Sequence, residues 1–293
     1  MLSRALFVLC CCLLPANALC WGFFAHQRIN RMAVFSLPPA MLAFYKPHID
    51  YLTKHATDPD QRRYVVAGEA PRHFIDIDHY GPPPYAALPH SWKAAVECYS
   101  ADTLNKYGIL PWHLERMLQQ LTSAFIAKDG KRILKLSADI GHYAGDAHVP
   151  LHASSNHNGQ LSGQEGIHAL WESRIPELFA DAQFSYWAGQ AQYLEAPRDF
   201  IWAAVLGSGL AADTVLKAEQ LLRGQYPEAA RYAIGFRKGT LTRDYAYDYT
   251  KMYNALLGDM VMRRMRASML AVASLWYTAW VNAGQPDLRG LAV

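Results

Sequence analysis

Apolar positions recur every three or four residues along most of this chain, the spacing of one face of an α-helix. Gln27 to Leu37 reads as a helix stopped by Pro38-Pro39, and Met41 to His55 as a second with a kink at Pro47. Ser91 caps a helix to Lys106, which Gly108 ends. Trp112 to Lys128 and Lys131 to His148 are long and amphipathic, the second stopped by Pro150. Ile167 to Phe179 follows a glycine-rich loop, and Asp199 to Leu222 and Arg243 to Asn282 complete the set. No alternation of period two is apparent over five residues or more, so strands are not expected. The pattern predicts an all-α fold, a single bundle-like domain with polar side chains projecting inward from several helices.

Composition agrees with a buried core. Of 293 residues, 52% are hydrophobic and 18% charged, too apolar a balance for a disordered chain. A formal charge of +3 with no basic run gives no electrostatic case for a nucleic-acid partner. Residues 1–20 have the order of a signal peptide: Arg4, an apolar stretch from Ala5 to Leu14, then Ala18-Leu19-Cys20. Cleavage there would make Trp21 the first residue of a secreted or periplasmic domain spanning 21–293. Lipidation of Cys20 is the competing reading. Only Cys98 would remain, so no internal disulfide is expected. Ala267 to Val281 is strongly apolar but short of a membrane span, and reads as a buried helix.

The polar residues set into this apolar background change the picture. His142, Asp146, His152, His168 and Glu172 place five metal-competent side chains within 31 residues. His142/Asp146 and His168/Glu172 are each four apart, which puts both members on one helical face. Imidazole with carboxylate is the ligand set of catalytic zinc. The plainer alternative for either pair alone is a surface ion pair. Two pairs with His152 between them, on apolar segments, favour metal.

Two further segments extend the pattern: Trp21-Gly22-Phe23-Phe24-Ala25-His26, and Asp58 followed fifteen residues later by His73-Phe74-Ile75-Asp76. In this order the sequence resembles the S1/P1 nuclease and zinc-dependent phospholipase C superfamily, over roughly Trp21 to Glu177. The resemblance implies three zinc ions. Asp58, His73, His142 and Asp146 would hold one. His152, His168 and Glu172 would hold the second. The Trp21 amine and carbonyl, His26 and a bridging Asp146 would hold the third. It further implies hydrolysis of phosphate esters by a hydroxide between metals, with Asp76 orienting or deprotonating the attacking water. The alternative for Asp76 is a supporting partner of a ligand histidine.

Substrate is divided. The short step from Trp21 to His26 and the run Gly145-Asp146-Ala147-His148-Val149-Pro150-Leu151-His152 resemble the nucleases. Glu172 and the 16-residue step from His152 to His168 resemble the phospholipases. Arg174 stands where the nucleases carry an asparagine, and an arginine there can bind phosphate bidentately. Asn156 and Asn158 lie in the intervening loop and are candidates to contact phosphate or sugar. Phe23, Phe24, Phe74, Tyr80 and Tyr143 are candidates to stack a base or, more plainly, to fill the core. His148 reads as supporting a ligand; His79 and His157 have no assigned role. The reading favours a secreted phosphodiesterase acting on single-stranded nucleic acid or nucleotides. A phospholipase C and a non-catalytic zinc-stabilised binding protein are the rivals. No obligate protein partner is evident.

Overall fold

A computed structural model describes residues 22–237 and 240–293. The predicted signal segment and Trp21 lie outside the described residues. In chain order the helices are α1 (Phe23–Ala33), α2 (Pro39–Tyr45), α3 (Ile49–Lys54), α4 (Asp58–Arg62), α5 (Trp92–Tyr99) and α6 (Ala101–Lys106). Then come α7 (Leu110–Ile126), α8 (Gly130–Asp146), α9 (Ile167–Ala169), α10 (Ile175–Gln183), α11 (Pro197–Arg223) and α12 (Glu228–Arg231). The strands β1 (Tyr232–Arg237) and β2 (Thr240–Tyr245) precede α13 (Tyr247–Leu256) and α14 (Met260–Asn282). The protein is mostly helical, as the periodicity predicts.

The hairpin is a correction. Periodicity makes Arg243 the start of a long helix, but it pairs with Ile234 across an antiparallel ladder. Tyr232, Ile234 and Phe236 do alternate with smaller residues, yet Ile234 and Phe236 are exposed, so no buried face marks the strand. The predicted helix to Asn282 is interrupted again between Leu256 and Met260, and two other predicted helices are broken. The second is split at residues 46–48, where α2 ends and α3 begins. The third is split at Ser100, whose φ of 68° lies in the left-handed region. The Ser100 side chain then caps α6 by accepting from Thr103 N.

Helix α8 is the axis of the molecule, packed by α1, α3, α7 and α14. Every residue from Leu136 to Ser154 is buried. A helix buried all round belongs to the core rather than to a solvated face, which removes the surface-ion-pair reading of His142 and Asp146. Close approach of α1 depends on two glycines of α8. A Cβ on Gly141 would fall 1.8 Å from Asn30 Oδ1, and one on Gly145 3.1 Å from His26 Nδ1. Asn30 fixes the crossing by donating to Leu52 O and Ala138 O. Among the described residues, α11 is the helix long and apolar enough to cross a membrane. Here it packs Ile201, Trp202, Val205 and Val215 into the core and buries the polar Ser208 and Glu219.

Candidate metal centre

Four parts of the chain converge below the end of α8. Helix α1 supplies His26, α4 supplies Asp60, the turn Ala70–His73 supplies His73, and α8 supplies His142 and Asp146. His73 Nδ1 lies 3.0 Å from Asp146 Oδ2 and 3.7 Å from Asp60 Oδ1. His142 Nε2 lies 3.3 Å from Asp146 Oδ2, 3.6 Å from Asp60 Oδ1 and 3.0 Å from His73 Nδ1. His26 Nε2 faces the other carboxylate oxygen, Asp146 Oδ1, at 3.4 Å, and its ring stacks on His142. Asp146 therefore turns one oxygen toward His73 and His142 and the other toward His26.

A second group adjoins it. His168 and Glu172 lie on α9 and the π-helical turn Leu170–Arg174 that follows, and His152 on the turn Pro150–Ala153. Glu172 Oε2 is 3.0 Å from His168 Nε2 and 3.4 Å from His152 Nε2, and the two imidazole nitrogens are 3.2 Å apart.

These groups fit a metal. Ligand atoms on a tetrahedral zinc with bonds of about 2.1 Å lie about 3.4 Å apart, and the separations above bracket that value. Three histidines are oriented alike from behind. His142 Nδ1 donates to Ala56 O at 2.9 Å, His168 Nδ1 to His157 O at 2.8 Å, and His152 Nδ1 to His73 O. A carbonyl only accepts, so each Nδ1 carries a proton, and each ring, once its Nε2 is deprotonated, turns that lone pair inward. Asp60 Oδ2, Asp146 Oδ1, both Glu172 oxygens and both His26 nitrogens are buried without hydrogen-bond partners. Buried polar atoms are rarely left so, and cations would satisfy the carboxylates and one nitrogen of His26.

Electrostatics show the same unmet need. Burial lowers the His26 pKa to about 4 and pulls His73 down as well. Burial opposes charge on His142 too, but Asp146 and Asp60 overcome it and raise it to about 9. Burial works against ionised Asp146, yet His142 and His152 hold it well below the carboxylate range. In the second group burial lowers His168 to about 4 and raises Glu172 to about 8.

Asp58 is a correction. Its side chain is partly exposed and bonds His55 Nδ1 at 2.7 Å, while Asp60 occupies the predicted ligand position. The two sit on opposite sides of α4, since residues two apart on a helix differ by about 200°. Asn156, Asn158 and Arg174 are also spent elsewhere. Asn156 bonds Ser162 Oγ and Leu161 N, and Asn158 accepts from Gly166 N, so both close their own loop. Arg174 donates to Tyr245 O and faces Asp244, anchoring the hairpin. Trp21 lies outside the described residues, but the next residue, Gly22, donates to Glu172 O at 3.3 Å.

A cleft of about 180 Å³ opens over both groups, lined by Arg63, His73, Phe74, Asp76, His152 and His168 among others. Of the aromatic candidates, Phe74 lines it. Burial, then the charge of Asp78, raises the Asp76 carboxyl to about 6. Arg63 and Glu69 belong to no motif, and only the fold brings them here. Arg63 follows Asp60 by three residues and brings a cation to the cleft wall. Glu69 is buried behind His73, bonded by Tyr143 and by Arg72 at 2.5 Å, with Oε1 3.9 Å from His73 Nε2. Of the remaining histidines, His148 bonds Ala144 O, away from the ligand groups, and His79 stacks on Tyr107.

No protein-family model matches the chain, and no curated protein matches it.

Proposed function

We propose that this protein is a zinc-dependent hydrolase of phosphate esters, of the S1/P1 nuclease and phospholipase C type, acting on single-stranded nucleic acid or nucleotides. One observation carries the reading: Asp146 turns its two oxygens to separate imidazole groups, the arrangement of a carboxylate shared between two ions. His26 and Asp146 would hold one zinc, with residue 21 completing it after leader removal. Asp60, His73, His142 and Asp146 would hold another, and His152, His168 and Glu172 a third. Bound zinc supplies a Lewis acid for phosphoryl oxygen and lowers the pKa of water to about 7.

The chain's own groups do the rest. Asp76, at about 6, is ionised at neutral pH and accepts a proton in the cleft. Arg63 offers a guanidinium to the phosphate. Phe74 presents a face on which a base stacks. The donor set contains no cysteine, whereas closed structural zinc sites use it widely; this weighs against a purely structural role.

The experiment is to purify the form beginning at Trp21, count its zinc, and assay single-stranded DNA, RNA, 3′-nucleotides and phosphatidylcholine side by side. Zinc with cleavage of nucleic acid or nucleotides is the expected result. Release of phosphocholine alone would transfer the protein to the phospholipases. Protein that binds no zinc, or hydrolyses none of the four, overturns the reading.

A further inference from the structure

A second concavity, of about 430 Å³, lies beside α7 and is lined by Trp92, Lys93, Trp112, His113, Arg116 and Arg198 among others. That volume is within the range of small-molecule sites. Trp92 is 39% exposed and stands edge-on to Trp112, ring centroids 5.6 Å apart. Trp112 is fixed from below by its bond to His90 O at 2.9 Å. Trp112 is itself buried and backs Trp92, whose exposed ring is the surface a ligand would meet.

Three cations and one carboxylate line the groove, and the carboxylate, Glu115, pairs with Arg198 at 3.0 Å. His113 adds no positive charge. The guanidinium of Arg116 only donates, so His113 Nδ1, 2.9 Å away, accepts and the ring proton sits on Nε2. Burial and Arg116 keep that ring neutral. Nε2 is buried and has no hydrogen-bond partner, which leaves one unmet donor in the wall.

Main-chain bonds and buried rings link the groove to the metal centre through the interior. Ile109 lines the groove and Phe74 the cleft, and their segments are joined by Ile109 N to Pro71 O at 2.7 Å and Leu110 N to Phe74 O at 3.2 Å. From His113 the ring of Tyr143 is 4.5 Å away, and His73 is 5.3 Å beyond it.

From this we infer that the groove binds a nucleotide unit, with its base against Trp92 and its phosphate among Lys93, Arg116 and Arg198. An acidic peptide would use the cations but not the indole face. An apolar ligand would use the indoles but leave the cations unused. The inference rests on the nucleic-acid reading of the metal centre and deepens it: a single strand cut at the cleft would have a second place to be held.

The test uses the zinc-loaded protein and the variants W92A and K93A/R198A, whose altered side chains are exposed. A single-stranded oligonucleotide and the small diester bis(p-nitrophenyl) phosphate are the substrates, and 5′-AMP is the calorimetric probe. Both variants should raise the oligonucleotide KM about tenfold, the scale of one base stack, with kcat and small-diester turnover unchanged. K93A/R198A should also flatten the salt dependence of binding by about 0.7 in log–log slope for each phosphate no longer neutralised. Binding of 5′-AMP that W92A abolishes identifies free nucleotides as occupants. An effect on the oligonucleotide alone identifies a strand. Wild-type KM and 5′-AMP binding in both variants, with small-diester turnover intact, overturn the inference. Absence of small-diester turnover in the wild type instead counts against the proposed function, and 5′-AMP calorimetry then still decides the groove.

Discussion

Gly141 on α8 and Asn30 on α1 touch so closely that a β-carbon at position 141 would lie 1.8 Å from Asn30 Oδ1. Alanine normally outranks glycine inside a helix by about 0.8–1.0 kcal/mol. Here the sign reverses. The Asn30 amide is tied to two carbonyls and has no room to swing away. Gly141→Ala is expected to destabilise by about 1–3 kcal/mol, the usual cost of overpacking. Urea denaturation checks it; an unchanged or higher midpoint would show that α1 can shift.

Asp60→Asn and Asp58→Asn separate the two aspartates of α4. The first should lose zinc and activity by more than the roughly 10–100-fold typical of residues that merely support a ligand. The second removes only the negative charge beside His55 and should keep its zinc content. Metal analysis after dialysis reads both, and a zinc-depleted Asp58→Asn would restore Asp58 as the ligand.

Asp76 sets a pH limb. Its carboxyl titrates at about 6 in the fold against 3.8 ordinarily. The folded chain thus holds this proton more tightly, so the group favours folding below about pH 4 and loses that contribution as pH rises through about 6. Activity has the opposite sense: the base must be ionised, so kcat/KM of the zinc-loaded protein should rise on an acidic limb centred at or below about 6, because a nearby cation favours the carboxylate. Asp78→Asn, which removes a neighbouring negative charge, should move the limb to lower pH. A limb unmoved in Asp78→Asn, or persisting in Asp76→Asn, would assign it to another group.

Loading the His152, His168 and Glu172 group should release a proton. The metal-free carboxyl of Glu172 titrates at about 8, so below that pH an incoming ion must displace its proton. Zinc affinity should accordingly climb with pH up to about 8. Calorimetry in buffers of different ionisation enthalpy counts the proton, and Glu172→Gln should abolish the release.

How much of this is legible in the sequence depends on the kind of signal. Helical periodicity locates α7, α8 and α11 closely, because each has a continuous apolar face set by burial. The four-residue pairs of ligands are readable for the same reason: they repeat the period of the helix that carries them. Asp60 is not readable, because α4 is too short to show its phase and Asp58 offers the same chemistry two residues earlier. Asn156, Asn158 and Arg174 look available only because their partners, such as Ser162 and Tyr245, are visible in three dimensions alone. The hairpin escapes because both its faces meet solvent over most of its length.

His142, His152 and His168 are each aimed by a main-chain carbonyl: those of Ala56, His73 and His157. Every amino acid carries that oxygen. Positions 56 and 157 therefore orient these imidazoles without constraining which residue stands there, provided the backbone keeps its path. Orientation is inherited from the course of the chain rather than from its side chains. A substitution at Ala56 or His157 that leaves the backbone in place should therefore leave His142 or His168 aimed as before.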